Sequence, residues 1–168
     1  RILVDGARKL QFAVLPPHCL LCGQAGSTRR DLCNACAADL PRNCVCCPRC
    51  ALPLEAPAPL CGECLQAEPP FASACVPFVY APPLDALLTR LKFGRNLAAG
   101  RVLSELWLAA VREAPPPIPK ALIPVPLHDG RLRERGYNQA LELAKPLLRA
   151  FGITLHNDTC LPYFLTYC

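Results

Sequence analysis

What this 168-residue chain lacks narrows the field first. No stretch approaches the roughly 20 consecutive apolar residues that would span a bilayer, so no membrane span is expected. The opening RILVDGARKLQFAVLPP is interrupted by Asp5, Arg8 and Lys9. It therefore lacks the apolar core of an export signal, and a cytoplasmic location is expected. Methionine is absent altogether, so Arg1 is not expected to be the natural start. Residues 16–66 contain no Phe, Trp or Tyr, which removes any aromatic platform for stacking bases from that stretch. Large apolar side chains are scarce there too, so a hydrophobic core cannot fold it. A strongly basic balance is also missing. The formal charge is only +5 with every cysteine counted neutral, and each thiolate would lower it, leaving little general attraction for nucleic acid.

What is present begins with composition. The chain is 52% hydrophobic and 18% charged, the balance of a globular protein, with length for one ordinary domain or two small ones. Twenty prolines and nine glycines predict short elements. The strongest signal is a repeat among the 13 cysteines. Cys19 and Cys22, Cys33 and Cys36, Cys47 and Cys50, Cys61 and Cys64 form four C-x-x-C pairs on a fourteen-residue period. Two thiolates from one tight turn occupy two corners of a zinc tetrahedron, and two such knuckles close a structural site with no position left for water. Metal binding worth on the order of 10–16 kcal/mol can fold a segment of this kind.

Equal spacing alone does not say which knuckles share an ion. Leu32 and Leu60 end the stretches after the first and third knuckles, and Pro41 and Pro69 follow the second and fourth. This alternation suggests a duplicated unit of 28 residues. It favours sequential ribbons, Cys19, Cys22, Cys33 and Cys36 on one ion and Cys47, Cys50, Cys61 and Cys64 on the other, over cross-braced pairing. The run CVCCPRC offers a second register through Cys44, leaving Cys44 and Cys46 as spare or substitute ligands. A disulfide framework is the bland alternative. Cys75 extends the period without a partner and reads as a buried thiol; Cys160 and Cys168 have no readable role.

Beyond residue 66 the character changes. CVPFVY reads as a strand that Pro82 and Pro83 stop. Leu84, Leu87, Leu88 and Leu91 form a helical stripe that Gly94 ends. A second helix carries Val102, Leu103, Leu106, Trp107, Ala110 and Val111 on one face, with the Trp read as core. APPPIP is a stiff break, and ALIPVPLH a short strand limited by its prolines. Asn138 can cap a helix whose apolar face is Ala140, Leu141, Ala144, Leu147, Leu148 and Phe151. Pro146 within it predicts a kink or two pieces. Gly152 ends that helix and ITLHN begins another strand. Strand and helix alternate, as in an α/β layer with parallel pairing.

Between the ALIPVPLH strand and that last helix lies a loop with three arginines. Arg131, Arg133 and Arg135 present guanidinium forks suited to phosphate oxygens. Gly136 permits close backbone approach, with the next helix starting there. A solvated charged turn in which Glu134 balances one arginine is the competing reading.

The zinc knuckles, LKFG, and IPVPLHDGRLRERGYNQA together resemble the ComF/GntX family, over residues from about 15 to about 155. That resemblance implies a small zinc-ribbon domain followed by a partial α/β type I phosphoribosyltransferase-like domain. The boundaries would be an N-terminal helical segment at 1–15, a double zinc ribbon at 16–66 and the second domain at 67–168. It implies a site for phosphoribosyl pyrophosphate or a related sugar phosphate, with Lys92, Arg131, Arg133 and Arg135 on phosphate and Gly136, Tyr137, Asn138 and Gln139 in the substrate loop. Two structural Zn2+ ions belong to the ribbons, and Mg2+ to the complete family domain. The family is linked to competence, meaning DNA uptake. The chain departs from the family's pattern, because it has no adjacent acidic pair after a strand and no Thr/Gly-rich phosphate turn. Its ending, HNDTCLPYFLTYC, is unlike the family, so a truncation or frameshift near Thr159 and a catalytically incomplete chain are expected. The rival reading is a non-catalytic zinc-ribbon adaptor that binds single-stranded DNA or a competence protein, with Arg29, Arg30, Arg42 and Arg49 available on the ribbon loops.

Overall fold

The computed structural model describes residues 16–27 and 30–156. The N-terminal segment 1–15, Arg29, Cys160, Cys168 and the run from Tyr163 to Leu165 lie outside them. The chain forms two compact units, Arg1–Ala86 and Leu87–Cys168, with the boundary inside one helix.

The first unit is built twice over. Each half starts with a knuckle, then places a five-residue helix immediately after its third cysteine: α1, Asn34–Ala38, and α2, Gly62–Gln66. Equivalent backbone bonds recur 28 residues apart. Cys19 N–H donates to the Gln24 carbonyl at 2.7 Å, and Cys47 N–H to Leu52 at 2.8 Å. Gly26 donates to Pro17 at 2.7 Å, and Leu54 to Val45 at 2.9 Å. Isolated antiparallel bridges follow the same offset, His18 with Ala25 and Cys46 with Pro53. The 28-residue unit suggested by the alternation of Leu and Pro is thus a real structural duplication.

One position shows why glycine is useful here. The residue after each knuckle turns left-handed: Gly23 has φ 76°, and its counterpart Ala51 has φ 60°. Each donates its N–H back to the first cysteine of its knuckle, at 2.9 and 2.8 Å. Gly23 takes this conformation without strain, whereas Ala51 holds its Cβ against a carbonyl.

The segment after residue 66 lies along the second ribbon. Ala74 N–H donates to Arg49 at 2.8 Å, Asn43 N–H to Pro77 at 3.0 Å and Val79 N–H to Pro41 at 2.9 Å. CVPFVY, expected to be a strand, makes only an isolated bridge between Phe78 and Arg42. Pro77 within it has no N–H to give a longer ladder. Cys75, expected buried, is exposed on this segment.

The later elements are α3, Leu84–Lys92; α4, Leu97–Glu113; β1, Ala121–Leu122; α5, Asp129–Arg135; α6, Gln139–Phe151; and β2, Thr154–Leu155. The expected leucine stripe of α3 is buried at Leu84, Leu87 and Leu91. Gly100 on α4 admits Leu91: a Cβ there would stand 2.9 Å from Leu91 Cδ1. Helix α4 packs on α6, burying Val102, Leu103, Leu106 and Val111 of α4 and Ala144 and Leu147 of α6. Each of these Val and Leu side chains contributes about 1.5–3 kcal/mol. Trp107 is half-buried, with its indole N–H enclosed but unpaired. Strands β1 and β2 pair in parallel, Ala121 with Thr154 and Leu122 with Leu155. They are two residues each because prolines at 124 and 126 deny β1 further donors. Helix α6 runs through Pro146 as one element rather than two. No helix among the described residues is long and apolar enough to cross a membrane.

Candidate functional site

Four cysteines converge twice. The sulfurs of Cys19, Cys22, Cys33 and Cys36 all lie within 4.8 Å of one another, as do those of Cys47, Cys50, Cys61 and Cys64. A zinc ion about 2.3 Å from each of four sulfurs spaces them about 3.8 Å apart. The separations across the knuckles match: Cys22 to Cys33 is 3.8 Å and Cys50 to Cys61 is 3.5 Å. The pairing is sequential, and Cys44 and Cys46 stand outside both groups. All eleven described cysteines are free thiols, so no disulfide joins them.

The backbone is arranged for thiolates. Cys36 N–H points at the Cys33 sulfur and Cys61 N–H at the Cys47 sulfur, each at 3.4 Å. Burial alone would raise the Cys19 thiol, but N–H groups of Cys22, Cys33 and Leu21 bring it down to about 6. The N–H of Cys50 leads in lowering Cys47 to about 6, against burial. The partners go the other way. Neighbouring Cys33 and Cys22 sulfurs hold the Cys36 proton and raise its pKa. Burial, then the Cys50 and Cys61 sulfurs, push Cys64 up to about 12. Within each cluster a standing thiolate therefore faces a thiol that metal must deprotonate. With all four corners supplied by sulfur, the clusters fit two closed, structural zinc ions.

The second feature is a basic corner in the later unit. The arginines lie on a short helix, α5, rather than in a loop, because His128 caps it through Gly130 N–H at 3.1 Å. Gly136, with φ 82°, ends that helix instead of starting the next. Asn138 is the cap of α6, accepting from Ala140 at 2.9 Å and Leu141 at 3.3 Å, and it also donates to the Val125 carbonyl at 3.0 Å. Gln139 opens α6 and accepts from Arg135 at 3.0 Å.

Three contacts tie this corner to the last turn of α3 and the residues just after it. The Tyr137 hydroxyl donates to the Leu91 carbonyl, Arg95 donates to the Glu134 carbonyl, and the Arg135 guanidinium lies 5.6 Å from the centre of the Phe93 ring. Lys92 is exposed at the end of α3, and Arg131 and Arg133 are exposed on α5. Sequence reasoning missed Arg95 and Phe93. The signal was available in KFGRN, where an aromatic and a second cation flank the glycine. Of the ribbon arginines, Arg49 is engaged with Glu68 at 2.8 Å, and Arg42 lies 5.7 Å from the centre of the Phe78 ring.

Comparison with known proteins agrees with the metal chemistry. The model of the double zinc ribbon domain family matches residues 10–65. DNA utilization protein YhgH of Salmonella typhi is 33% identical over 150 residues, covering 86% of this chain and 66% of that protein. YhgH of Escherichia coli is 34% identical over 140 residues, covering 80% and 62%. Competence protein F of Haemophilus influenzae is 35% identical over 146 residues, covering 84% and 63%. The chain thus spans just under two thirds of the length of these relatives. No solved structure matches it. With two four-cysteine clusters and this similarity along most of its length, the chain belongs to the ComF/YhgH family of double-zinc-ribbon proteins.

Proposed function

We propose that this chain serves DNA utilization or competence by binding a phosphorylated sugar, of the phosphoribosyl pyrophosphate class, at the basic corner of a phosphoribosyltransferase-like domain. The zinc ribbons act as a rigid structural module. The observation that carries the reading is the tie between Tyr137 and Leu91. It holds α5 against the turn bearing Lys92, with Arg131 and Arg133 exposed beside it. Cations held on short, capped elements suit phosphate oxygens better than a freely moving loop. The parallel β1–β2 pair, with α6 as its crossover, is consistent with the same α/β class. The sequence has no adjacent acidic residues to hold ribose hydroxyls, so binding without turnover is expected. Titration calorimetry with phosphoribosyl pyrophosphate tests this. Saturable binding that the Arg131→Ala, Arg133→Ala double variant weakens supports the reading; heats equal to dilution reject it.

A second reading draws on Phe93, which is 72% exposed with Arg135 on its ring and Lys92 and Arg95 beside it in sequence. An exposed aromatic among cations is a platform for a base of single-stranded DNA. Oligonucleotide binding that falls steeply with salt and is lost in Phe93→Ala, with no heat from the sugar phosphate, would favour a non-catalytic adaptor.

A further inference from the structure

The two metal clusters share a backbone plan but not an environment. In the first cluster Cys22 is exposed, Cys33 and Cys36 are half-buried and Cys19 is buried; the second has no exposed member, Cys50 and Cys64 being half-buried. Its Cys47 and Cys61 are 1% and 4% exposed. Among the described residues, a strap lies along the second ribbon and not along the first. Arg49, inside the third knuckle, bonds Glu68 at 2.8 Å and the Pro69 carbonyl at 3.2 Å, and its own carbonyl accepts from Ala74 at 2.8 Å. Asn43 adds bonds to the Ala51 carbonyl at 2.9 Å and the Val76 carbonyl at 3.0 Å. Arg49 and Ala51 flank Cys50 on either side. At the position equivalent to Arg49, the first ribbon has Leu21, whose side chain can make no such bond.

From this we infer that the sites are kinetically unequal: the Cys19–Cys36 site exchanges its zinc with outside thiol or chelator donors through Cys22, while the 68–77 strap locks the Cys47–Cys64 site. Exchange is ligand substitution with no redox change. An incoming donor supplies an electron pair to zinc, the Cys22 thiolate leaves with its own pair, and water protonates it. The fitting partner is a donor of soft or chelating ligands, such as a small thiol or a metal-free zinc protein. A closed four-sulfur site otherwise has no open position for attack, so the most exposed sulfur sets the entry point.

The test uses the full chain loaded with two zinc ions and challenged with excess EDTA, zinc release being followed by a chromophoric indicator. Pulses of N-ethylmaleimide with peptide mass mapping assign the sulfurs. Cys44 and Cys75, exposed and outside both clusters, label at once and report reagent access. Expected are two phases, one equivalent leaving at least about tenfold faster than the other, with Cys22, Cys33 and Cys36 labelled in the fast phase and Cys47 to Cys64 protected. Arg49→Ala is expected to accelerate the slow phase by about tenfold and leave the fast one unchanged. A single phase, first labelling within Cys47 to Cys64, or an Arg49→Ala slow phase equal to that of the natural chain would each overturn the inference.

Discussion

The Tyr137 hydroxyl donates a hydrogen bond to the Leu91 carbonyl, 46 residues earlier in the chain. It joins the corner between α5 and α6 to the last turn of α3. Tyr137→Phe removes the donor and leaves that carbonyl unpaired. Loss of about 1 kcal/mol of stability is expected, seen as a lower urea midpoint with unchanged slope. A pH titration adds a second readout. Burial raises the Tyr137 pKa above 10, with Glu142 adding to it and Arg135 and Arg95 opposing. The fold thus holds the phenol proton more tightly than the open chain does. The contribution is complete below about pH 10 and fades as pH climbs through the folded value. Tyr137→Phe is expected to lack that alkaline loss.

Gly23 and Ala51 offer a paired test of the duplication. Both are left-handed, and a Cβ on Gly23 would meet nothing within 4 Å. The cost of Gly23→Ala is therefore backbone strain alone, about 1 kcal/mol. Ala51→Gly is expected to recover a similar amount in the second ribbon, less the entropy glycine adds to the unfolded chain. Chelator competition on each variant reads the two effects with opposite sign.

Metal removal is expected to unfold the ribbon unit, because sulfur–zinc bonds replace a hydrophobic core there. Far-ultraviolet circular dichroism during EDTA titration would show this, with helix signal from α3, α4 and α6 persisting. Two zinc ions per chain are expected by elemental analysis.

Reloading zinc is expected to release protons at pH 7. The unfolded metal-free chain holds its cysteines as thiols at pH 7, and even in the folded arrangement, where Cys19 and Cys47 are lowered to about 6, Cys36 lies above its ordinary value and Cys64 near 12. Zinc must displace those protons, so affinity rises with pH across neutrality. Calorimetry in buffers of different ionisation enthalpy measures the proton count directly.

Asn138 caps α6 and anchors the Val125 segment at once. Asn138→Ala is expected to cost about 1–2 kcal/mol. Asn138→Asp keeps the cap but not the donor to Val125, so its smaller loss separates the two roles in thermal unfolding.

Much of this protein is legible in its residues. The fourteen-residue cysteine period identifies the eight ligands, because C-x-x-C is a local geometry that one turn of chain fulfils. The stripes in α3, α4 and α6 are legible for the same reason: a helix repeats its environment every 3.6 residues. Asn138 and Gly152 mark the ends of α6 because capping is decided within a turn. Of the two outcomes Pro146 predicted, a kink or two pieces, the second does not occur: α6 is one element, and its packing against α4 offsets the bond that Pro146 cannot make.

That metal must replace a core in the ribbon region, and where the later helices form, can be read along the chain, since both follow from chemistry within a few residues. The alternation of Leu and Pro pointed to sequential pairing of the knuckles, but that residues 68–77 lie along the second ribbon and that Tyr137 reaches Leu91 emerge from the folded chain alone. Equal spacing is silent on these points. They depend on which distant segments find complementary donors and acceptors, and no periodicity along the chain encodes that choice.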